Sequence, residues 1–321
     1  MAASPTTTRK GTDAIAAVMF LVSLFISGSN GIVADGVALT SSQIVFFRML
    51  LGAGVLVVAF VAMRRKITVL DDKRELVLLI GGGAAMACEL LFLYEAYQYA
   101  GVALSTILCY LAPIVVMALS PILFHARLTL FKGASFAVVV TGCLLINVTA
   151  LGNGISAMGI LCGLGAAAGM SSMIILNKKI SRTPGLERAL IQMLSAAAVC
   201  TVYIMATEGL PATFAAATAV GAWPAIAVIG LLGGISNLLY FIAIGRLPVQ
   251  SVAVFGYLEP LSAVLMSVFI LGESMMPLQI IGAVCIIGGA FASETLGNRS
   301  RAVPRTHRNA LSKPFRHRRA A

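Results

Sequence analysis

The chain has 321 residues, of which 59% are hydrophobic and 11% are charged, and its formal net charge is +11. Soluble globular domains carry about 25% charged residues, so the composition excludes the soluble classes and indicates a polytopic membrane protein. The basic excess does not indicate nucleic-acid binding, because the basic residues stand between apolar segments and in the C-terminal tail.

Ten apolar segments approach or reach the length of about 20 residues that a helix needs to cross a membrane. Their predicted ranges are 13–34, 42–62, 76–98, 102–124, 133–150, 155–176, 189–208, 222–244, 250–271 and 277–294. All basic residues except Arg48 lie before the first span, in every second gap or after the last span. Because Arg and Lys mark the cytoplasmic side, both termini are predicted to be cytoplasmic, and the composition is compatible with a bacterial inner (plasma) membrane.

A short motif recurs at an offset of 147 residues, as YLAP at 110–113 and YLEP at 257–260. Each copy precedes one further span, so each half of the chain holds five helices. Because five is odd, the second half must be inverted relative to the first. The sequence therefore predicts an all-α polytopic membrane protein with ten transmembrane helices in two inverted five-helix repeats. The first repeat is predicted at 1–150, the second at 151–298, and a basic cytoplasmic tail at 299–321.

Charged residues inside a span are functional candidates, because a charge in lipid is costly. Arg48 is expected either to capture an anionic group such as a carboxylate, or to form a buried ion pair with Glu95 or Glu273, and the ion pair is favoured. Glu89 and Glu259 lie near the middle of spans 3 and 9. They are expected either to exchange protons or bind a cationic group, or to remain protonated and hydrogen-bonded to a neighbouring helix.

Uncharged polar and aromatic residues recur at helical spacing on several spans, and such stripes either line a polar cavity or join helices by hydrogen bonds. The candidates are Asn30, Tyr94, Tyr97, Tyr110, Asn237, Tyr240 and Tyr257. Pro113 and Pro260 occupy matched positions within spans and are expected to act as paired hinges or as static kinks. The sequence shows no P-loop, metal-ligand cluster or catalytic constellation, so no cofactor, no metal and no enzyme activity are predicted.

The second half carries a pattern that resembles the EamA repeat of the drug/metabolite transporter superfamily. Its elements are RLPVQSVAVFGYLEP at 246–260, LGES at 271–274, Gln279, Gly282 and GG at 288–289. The first half resembles a degenerate copy, from AGVALS at 100–105 through Pro113 to Gly142, and FFR at 46–48 resembles an early helix of the family. The resemblance covers about residues 13–294. It departs from the pattern at Ala126, which stands where the second half has Glu273.

The resemblance implies a ten-helix bundle with a central cavity lined by both repeats, and it implies transport of a small solute. The preferred interpretation is a secondary transporter that exports small metabolites, such as amino acids or related compounds, by alternating access. The predicted substrate-binding residues are Asn30, Arg48, Glu89, Tyr94, Tyr97, Tyr110, Asn237, Tyr240, Tyr257 and Glu259, and the predicted hinges are Pro113 and Pro260. The alternative is an exporter of organic cations or drugs that uses the intramembrane glutamates as ligands.

A non-transporting membrane enzyme or assembly subunit is a third and less favoured interpretation, because no catalytic set converges near one interface. The expected partners are a small-molecule substrate and the lipid bilayer, with protons as the candidate coupling ion. No nucleic acid is expected, and the oligomeric state is left open.

Overall fold

The computed structural model describes residues 5–35, 37–125, 129–148, 156–266, 268–269 and 276–299, and within them it contains helices and no strand. The first repeat supplies α1 (Pro5–Asp35), α2 (Ser41–Ala62), α3 (Lys73–Cys109), α4 (Ala112–Phe124) and α5 (Leu130–Val148). The second supplies α6 (Ala157–Lys179), α7 (Gly185–Thr207), α8 (Leu210–Ala219), α9 (Trp223–Ile244), α10 (Val249–Gly256), α11 (Leu258–Met266) and α12 (Pro277–Arg299). Glu273 and the tail beyond 299 lie outside the described residues.

Six helical segments of the described chain are long and apolar enough to cross a membrane. They are Ser41–Ala62, Lys73–Ala100, Ser105–Phe124, Ala157–Lys179, Gly185–Thr207 and Trp223–Ile244. Four shorter apolar helical segments accompany them: Ala14–Ser29, Leu130–Leu145, Leu210–Ala219 and Pro277–Ser293. The prediction of an all-α polytopic membrane protein is confirmed. The short helix α8 fills a gap that the sequence had assigned to a loop.

The element α3 consists of two arms that run back along each other. Gly159 of α6 lies against Ala100, while Gly169, further along α6, lies against the backbone of Glu89. Ser171, half a turn beyond, donates a hydrogen bond to the carbonyl of Ala112, 3.3 Å away. A straight helix would separate residues 89 and 112 by about 35 Å, so both can lie beside the same turn of α6 only if the chain reverses between them. The predicted span 76–98 corresponds to the first arm, and the predicted span 102–124 corresponds to the second arm together with α4.

Helices of the two repeats pack against each other throughout the bundle. The first repeat's α1 contacts α9 and α11, α2 contacts α7 and α9, α3 contacts α6 and α7, and α5 contacts α12. Glycines bring several of these pairs close together: a Cβ at Gly83 would lie 2.2 Å from the carbonyl oxygen of Gln192, and one at Gly142 would lie 2.6 Å from that of Gly282. The repeats therefore share one interior.

Each repeat contains one helix break at the recurring motif. The helix is interrupted by a tight turn at Tyr110 and Leu111 before α4, and by another at Tyr257 between α10 and α11, where Leu111 and Tyr257 bond to the carbonyl three residues back. Pro113 and Pro260 therefore lie in the first turn of a new helix, where the missing N–H leaves no helical hydrogen bond unmade, and not in the middle of a continuous span. The sequence predicted the paired positions, and the structure shows that the breaks precede the prolines.

Candidate functional site

Three charged side chains from different helices converge inside the bundle. Glu89 of α3 and Glu259 of α11 are close enough to repel each other, and Arg48 of α2 attracts both. The cluster therefore combines two carboxylates with one guanidinium, and it joins two helices of the first repeat to one of the second. We call Arg48, Glu89 and Glu259 the central charge cluster.

The central charge cluster lies deep inside the bundle. The carboxyl groups of Glu89 and Glu259 are densely surrounded by protein atoms. Both side chains, and that of Arg48, nevertheless keep part of their surface accessible to solvent. This accessible polar surface can contact water or a small solute. Charged groups at membrane depth are tolerated in such a setting, where they pair with each other or with water.

Glu259 is held by hydroxyl groups from the first repeat. Its carboxyl group accepts hydrogen bonds from the side chains of Ser27, on α1, and Tyr110, at the break before α4. Tyr257 in turn donates its hydroxyl to the carbonyl oxygen of Tyr110 at 2.7 Å, and the two rings lie 5.8 Å apart. The two equivalent tyrosines of the repeated motif thus meet, and Tyr257 positions the residue that contacts Glu259.

Arg48 lies against α9, where Gly233 leaves room for it. A Cβ at Gly233 would lie 3.1 Å from Cγ and 3.4 Å from Nε of Arg48. Among the described residues, that buried Nε has no hydrogen-bond partner. Asn237, one turn further along α9, donates to the carbonyl of Gly233 at 2.8 Å. A guanidinium with an unused N–H can still donate a hydrogen bond to an anionic or carbonyl ligand.

The expected ion pair between Arg48 and Glu95 does not form. Glu95 lies near Cys162 and Tyr203, on helices α6 and α7, and so faces another part of the bundle. Glu89 and Glu259 take its place as the electrostatic partners of Arg48. The other proposed partner, Glu273, lies outside the described residues.

The remaining aromatic candidates divide into two groups. Tyr240 lies near both glutamates of the cluster, and its ring lies 5.2 Å from that of Phe20 in a tilted arrangement. Tyr94 and Tyr97 contact each other at 5.3 Å, and Tyr97 hydrogen-bonds the side chain of Thr106 on the opposite arm of α3. All three keep partly accessible surface.

One further candidate is buried, and the side chain of another is not described. Tyr257 is only 1% exposed, so in this conformation it supports Tyr110 and has no surface for a solute. The side chain of Asn30 lies outside the described part of the chain.

Sequence reasoning missed two buried carboxylates at the end of the bundle that carries the basic loops. Glu75 is 5% exposed and Glu187 is 2% exposed, and each accepts several hydrogen bonds from a loop of the other repeat. Each is the third residue of its helix. The available signal was an acidic residue in a helix's first turn beside a strongly basic loop, a pattern more often explained by helix capping.

Comparison with known proteins agrees with this architecture. One solved structure, titled only "Crystal structure of protein", superimposes with a TM-score of 0.73 at 18% sequence identity, over 88% of this chain and 99% of that chain. At that identity the likeness shows the fold alone. No functionally curated protein matches the chain. The profile of the EamA-like transporter family matches twice, at residues 14–148 and 157–294. The chain is therefore a multi-pass membrane protein of the EamA-like transporter family, within the drug/metabolite transporter superfamily.

Proposed function

We propose that this protein is a secondary transporter that exports small metabolites, amino acids or related compounds, by alternating access. The observation that carries the proposal is the central charge cluster, which joins helices of both repeats and keeps partly accessible polar surface deep in the bundle, as expected of residues that line a substrate cavity. Binding sites between repeats are typical of secondary transporters, whose repeats rock about a fixed site. Export is the direction that the family resemblance implies.

The charges of the cluster match the two ends of a zwitterion. Arg48 would bind the carboxylate, because its guanidinium presents forked donors and its Nε is unused. Glu89 would bind the ammonium group, and Glu259, held by Ser27 and Tyr110, would exchange protons with the cavity. Tyr240 and the Tyr94–Tyr97 pair would contact the rest of the solute, together with Asn237 and Asn30.

The helix breaks would supply the motion. Tyr110–Leu111 and Tyr257 interrupt the helices beside Glu259, and the prolines that follow prevent a continuous helix from forming there. Rotation about these breaks would move Tyr110 and Glu259 relative to Arg48. Pro113 and Pro260 are therefore proposed as paired hinges.

An exporter of organic cations is the second candidate, and the excess of carboxylates over guanidinium in the cluster favours it. A cationic solute would pair with Glu89 and Glu259 and would be repelled by Arg48. The two candidates therefore predict opposite effects of removing the arginine: a zwitterion loses a ligand, whereas a cation loses a repulsive neighbour.

The test is ligand-dependent thermal stabilisation of the purified protein, followed by counterflow of each hit in proteoliposomes. Amino acids, organic cations and sugars are screened on the native chain and on Arg48→Ala, Glu89→Gln and Glu259→Gln. Glu95→Gln is the matched control, since Glu95 lies on the same helix as Glu89 but away from the cluster. A zwitterion whose stabilisation disappears in Arg48→Ala and persists in Glu95→Gln supports the metabolite exporter.

A cation that still stabilises Arg48→Ala but not Glu89→Gln would replace the first candidate with the second. Binding that none of the three cluster variants alters would refute both.

We also propose that the protein has no enzyme activity and resides in a bacterial inner membrane with both termini cytoplasmic. The support for this orientation is the placement of the Arg and Lys residues in alternate loops.

A further inference from the structure

We infer that two reciprocal carboxylate clasps form the gate at the end of the bundle that carries the basic loops. This end, called here the basic end, holds the loop at 63–72 and the loop at 180–184. The inference rests on the proposed transport function, because a gate matters only if the cavity opens alternately to the two sides. It assigns a role to Glu75 and Glu187, which take no part in the central charge cluster.

The first clasp joins α3 to the loop that precedes α7. The carboxylate of Glu75 accepts backbone hydrogen bonds from Ser181 at 2.9 Å, Arg182 at 2.8 Å and Thr183 at 2.9 Å. The hydroxyl of Thr183 donates to the same group. Asp72 adds an exposed ion pair with Arg182 at 3.5 Å. Three consecutive backbone amides directed at one carboxylate form an anion-binding nest.

The second clasp joins α7 to the loop that precedes α3. The carboxylate of Glu187 accepts backbone hydrogen bonds from Thr68 at 2.6 Å and Val69 at 2.7 Å, and the hydroxyl of Thr68 donates to it at 2.8 Å. Val69 is 2% exposed, so this loop is seated in the protein surface. The segment bound by Glu187 is the one that leads into the helix carrying Glu75.

The two clasps are therefore reciprocal. Glu75 and Glu187 are each the third residue of a helix, and each binds the loop in front of the other's helix. Because α3 belongs to the first repeat and α7 to the second, both clasps cross the boundary between repeats. The basic ends of α3 and α7 cannot separate unless both clasps open.

A buried arginine of α7 binds the same loop and packs against the end of α9. Arg188 is 4% exposed, and its Nη2 donates to the carbonyls of Ile180 at 3.3 Å and Thr183 at 3.4 Å. Its guanidinium rests on Gly245, at the end of α9, where a Cβ would lie 2.8 Å from Nη1. The loop at 180–184 is thus held between Glu75 on its amide side and Arg188 on its carbonyl side. Opening the first clasp would release this loop from α3 while Arg188 keeps it attached to α7.

The chemistry of the clasps suits a gate better than permanent packing. Carboxylates and backbone amides at the membrane surface exchange their bonds for bonds to water when they separate, so the net cost of opening is modest. The opposite end of the bundle has a different arrangement among the described residues. There, Glu208, which directly follows α7, accepts from the side chains of Ser42 and Gln43 at the start of α2 and of Thr40 just before it, and it accepts from no described backbone amide. Glu208 therefore provides a matched carboxylate at the other end.

The experiment measures access to the cavity from each side. Cys109 is 4% exposed and lies near both Glu89 and Glu259, so it reports on the cavity. The other cysteines are replaced by alanine in the full chain: Cys88, Cys143, Cys162, Cys200 and Cys285. A membrane-impermeant maleimide is then applied to sealed vesicles of each orientation. The variants are Glu75→Gln, Glu187→Gln and their combination, and Glu208→Gln is the control.

We expect the double variant to label about tenfold faster from the basic end, because losing one net hydrogen bond to a charged group changes an equilibrium by about that factor or more. Each single variant should show a smaller increase, and Glu208→Gln should show none from that end. Thr183→Val and Thr68→Val each remove one donor hydroxyl from a clasp. They give the same readout with milder changes if the glutamine variants fail to fold.

Unchanged labelling from the basic end in the double and the valine variants would overturn the gate. An equal increase in labelling from both ends would also overturn it, because it would indicate general loosening of the bundle. The assay needs no solute, so its outcome is separate from that of the transport test. Labelling that follows the expectation in a protein that moves none of the screened solutes would keep the gate and remove the proposed substrate class. Transport of a screened solute together with unchanged labelling would keep the proposed transport function and remove the gate.

Discussion

Replacing Gly83 by alanine should weaken the seam between the repeats. A Cβ at this position would lie 2.2 Å from the carbonyl oxygen of Gln192, 2.7 Å from Cβ of Ser195 and 3.0 Å from the carbonyl carbon of Gln192. Carbon atoms in favourable contact lie about 3.5–4.0 Å apart. Because the obstacle is backbone, α3 and α7 must separate by about 1 Å at this point, and no rotamer change can relieve the clash.

The magnitude follows from two opposing effects. Overpacking of a tight contact costs about 1–3 kcal/mol, and the upper end applies where backbone must move. Alanine gains about 1 kcal/mol over glycine in a helix. The expected net loss is about 2 kcal/mol of unfolding free energy, which corresponds to about 3 °C in the apparent Tm because the unfolding entropy grows with the length of the chain.

Thermal unfolding of the detergent-solubilised protein measures this effect, with the fluorescence of the single tryptophan, Trp223, as the signal. Gly54→Ala is the matched control, since nothing lies within 4 Å of a Cβ at that position of α2. It should leave the Tm unchanged or raise it slightly. Equal melting of Gly83→Ala and Gly54→Ala would show that α3 and α7 do not approach each other as closely as described.

Two further experiments test individual hydrogen-bonding groups. Tyr257→Phe should preserve the fold but lower the affinity for any solute, because the carbonyl of Tyr110 would lose the hydroxyl that holds it. A dissociation constant equal to that of the native chain would contradict the supporting role of Tyr257. Asn177 and Gln192 exchange two buried hydrogen bonds, at 2.9 and 2.6 Å, between α6 and α7. A double-mutant cycle with alanine should give a coupling energy of about 1–2 kcal/mol in thermal unfolding, and additive effects would argue against the pair.

The sequence predicted those features of the fold that depend on local composition. Apolar length identifies a span because the hydrocarbon thickness is fixed, and the basic loops alternate because Arg and Lys are retained on one side. The recurring motif at 110–113 and 257–260 located both helix breaks to within a few residues. These signals are contained in single segments, so no knowledge of tertiary contacts was needed.

The partners of the buried charges could not be predicted in the same way. Arg48 and Glu95 were matched by depth, but helical residues six apart, such as Glu89 and Glu95, point in directions about 120° apart. Glu95 therefore faces α6 and α7, while Glu89 faces Arg48 and Glu259. The depth of a residue can be read from its position along the span. The direction in which its side chain points identifies a partner only when the neighbouring helices are known.

The clasps of Glu75 and Glu187 could not be predicted from the sequence either, because their partners are far away along the chain. Their hydrogen bonds join residues 106 to 119 positions apart, and nothing local distinguishes a carboxylate that binds a distant loop from one that caps its own helix. In the sequence, both glutamates appear as ordinary first-turn residues beside positive charge. Only the packing of α3 against α7 brings each loop within reach.

The contact between the two repeated motifs affects how the two halves of such a chain can diverge in sequence. Tyr110 and Tyr257 touch, so the residues two positions after them, Ala112 and Glu259, also lie near the line where the halves meet. In a dimer of identical subunits, a glutamate gained at this position would appear twice, adding a second carboxylate beside the first. Joining both halves in one gene allows one copy to become acidic while the other keeps a small side chain. Solute preference could then change through single substitutions on one half, without a matching charge appearing on the other.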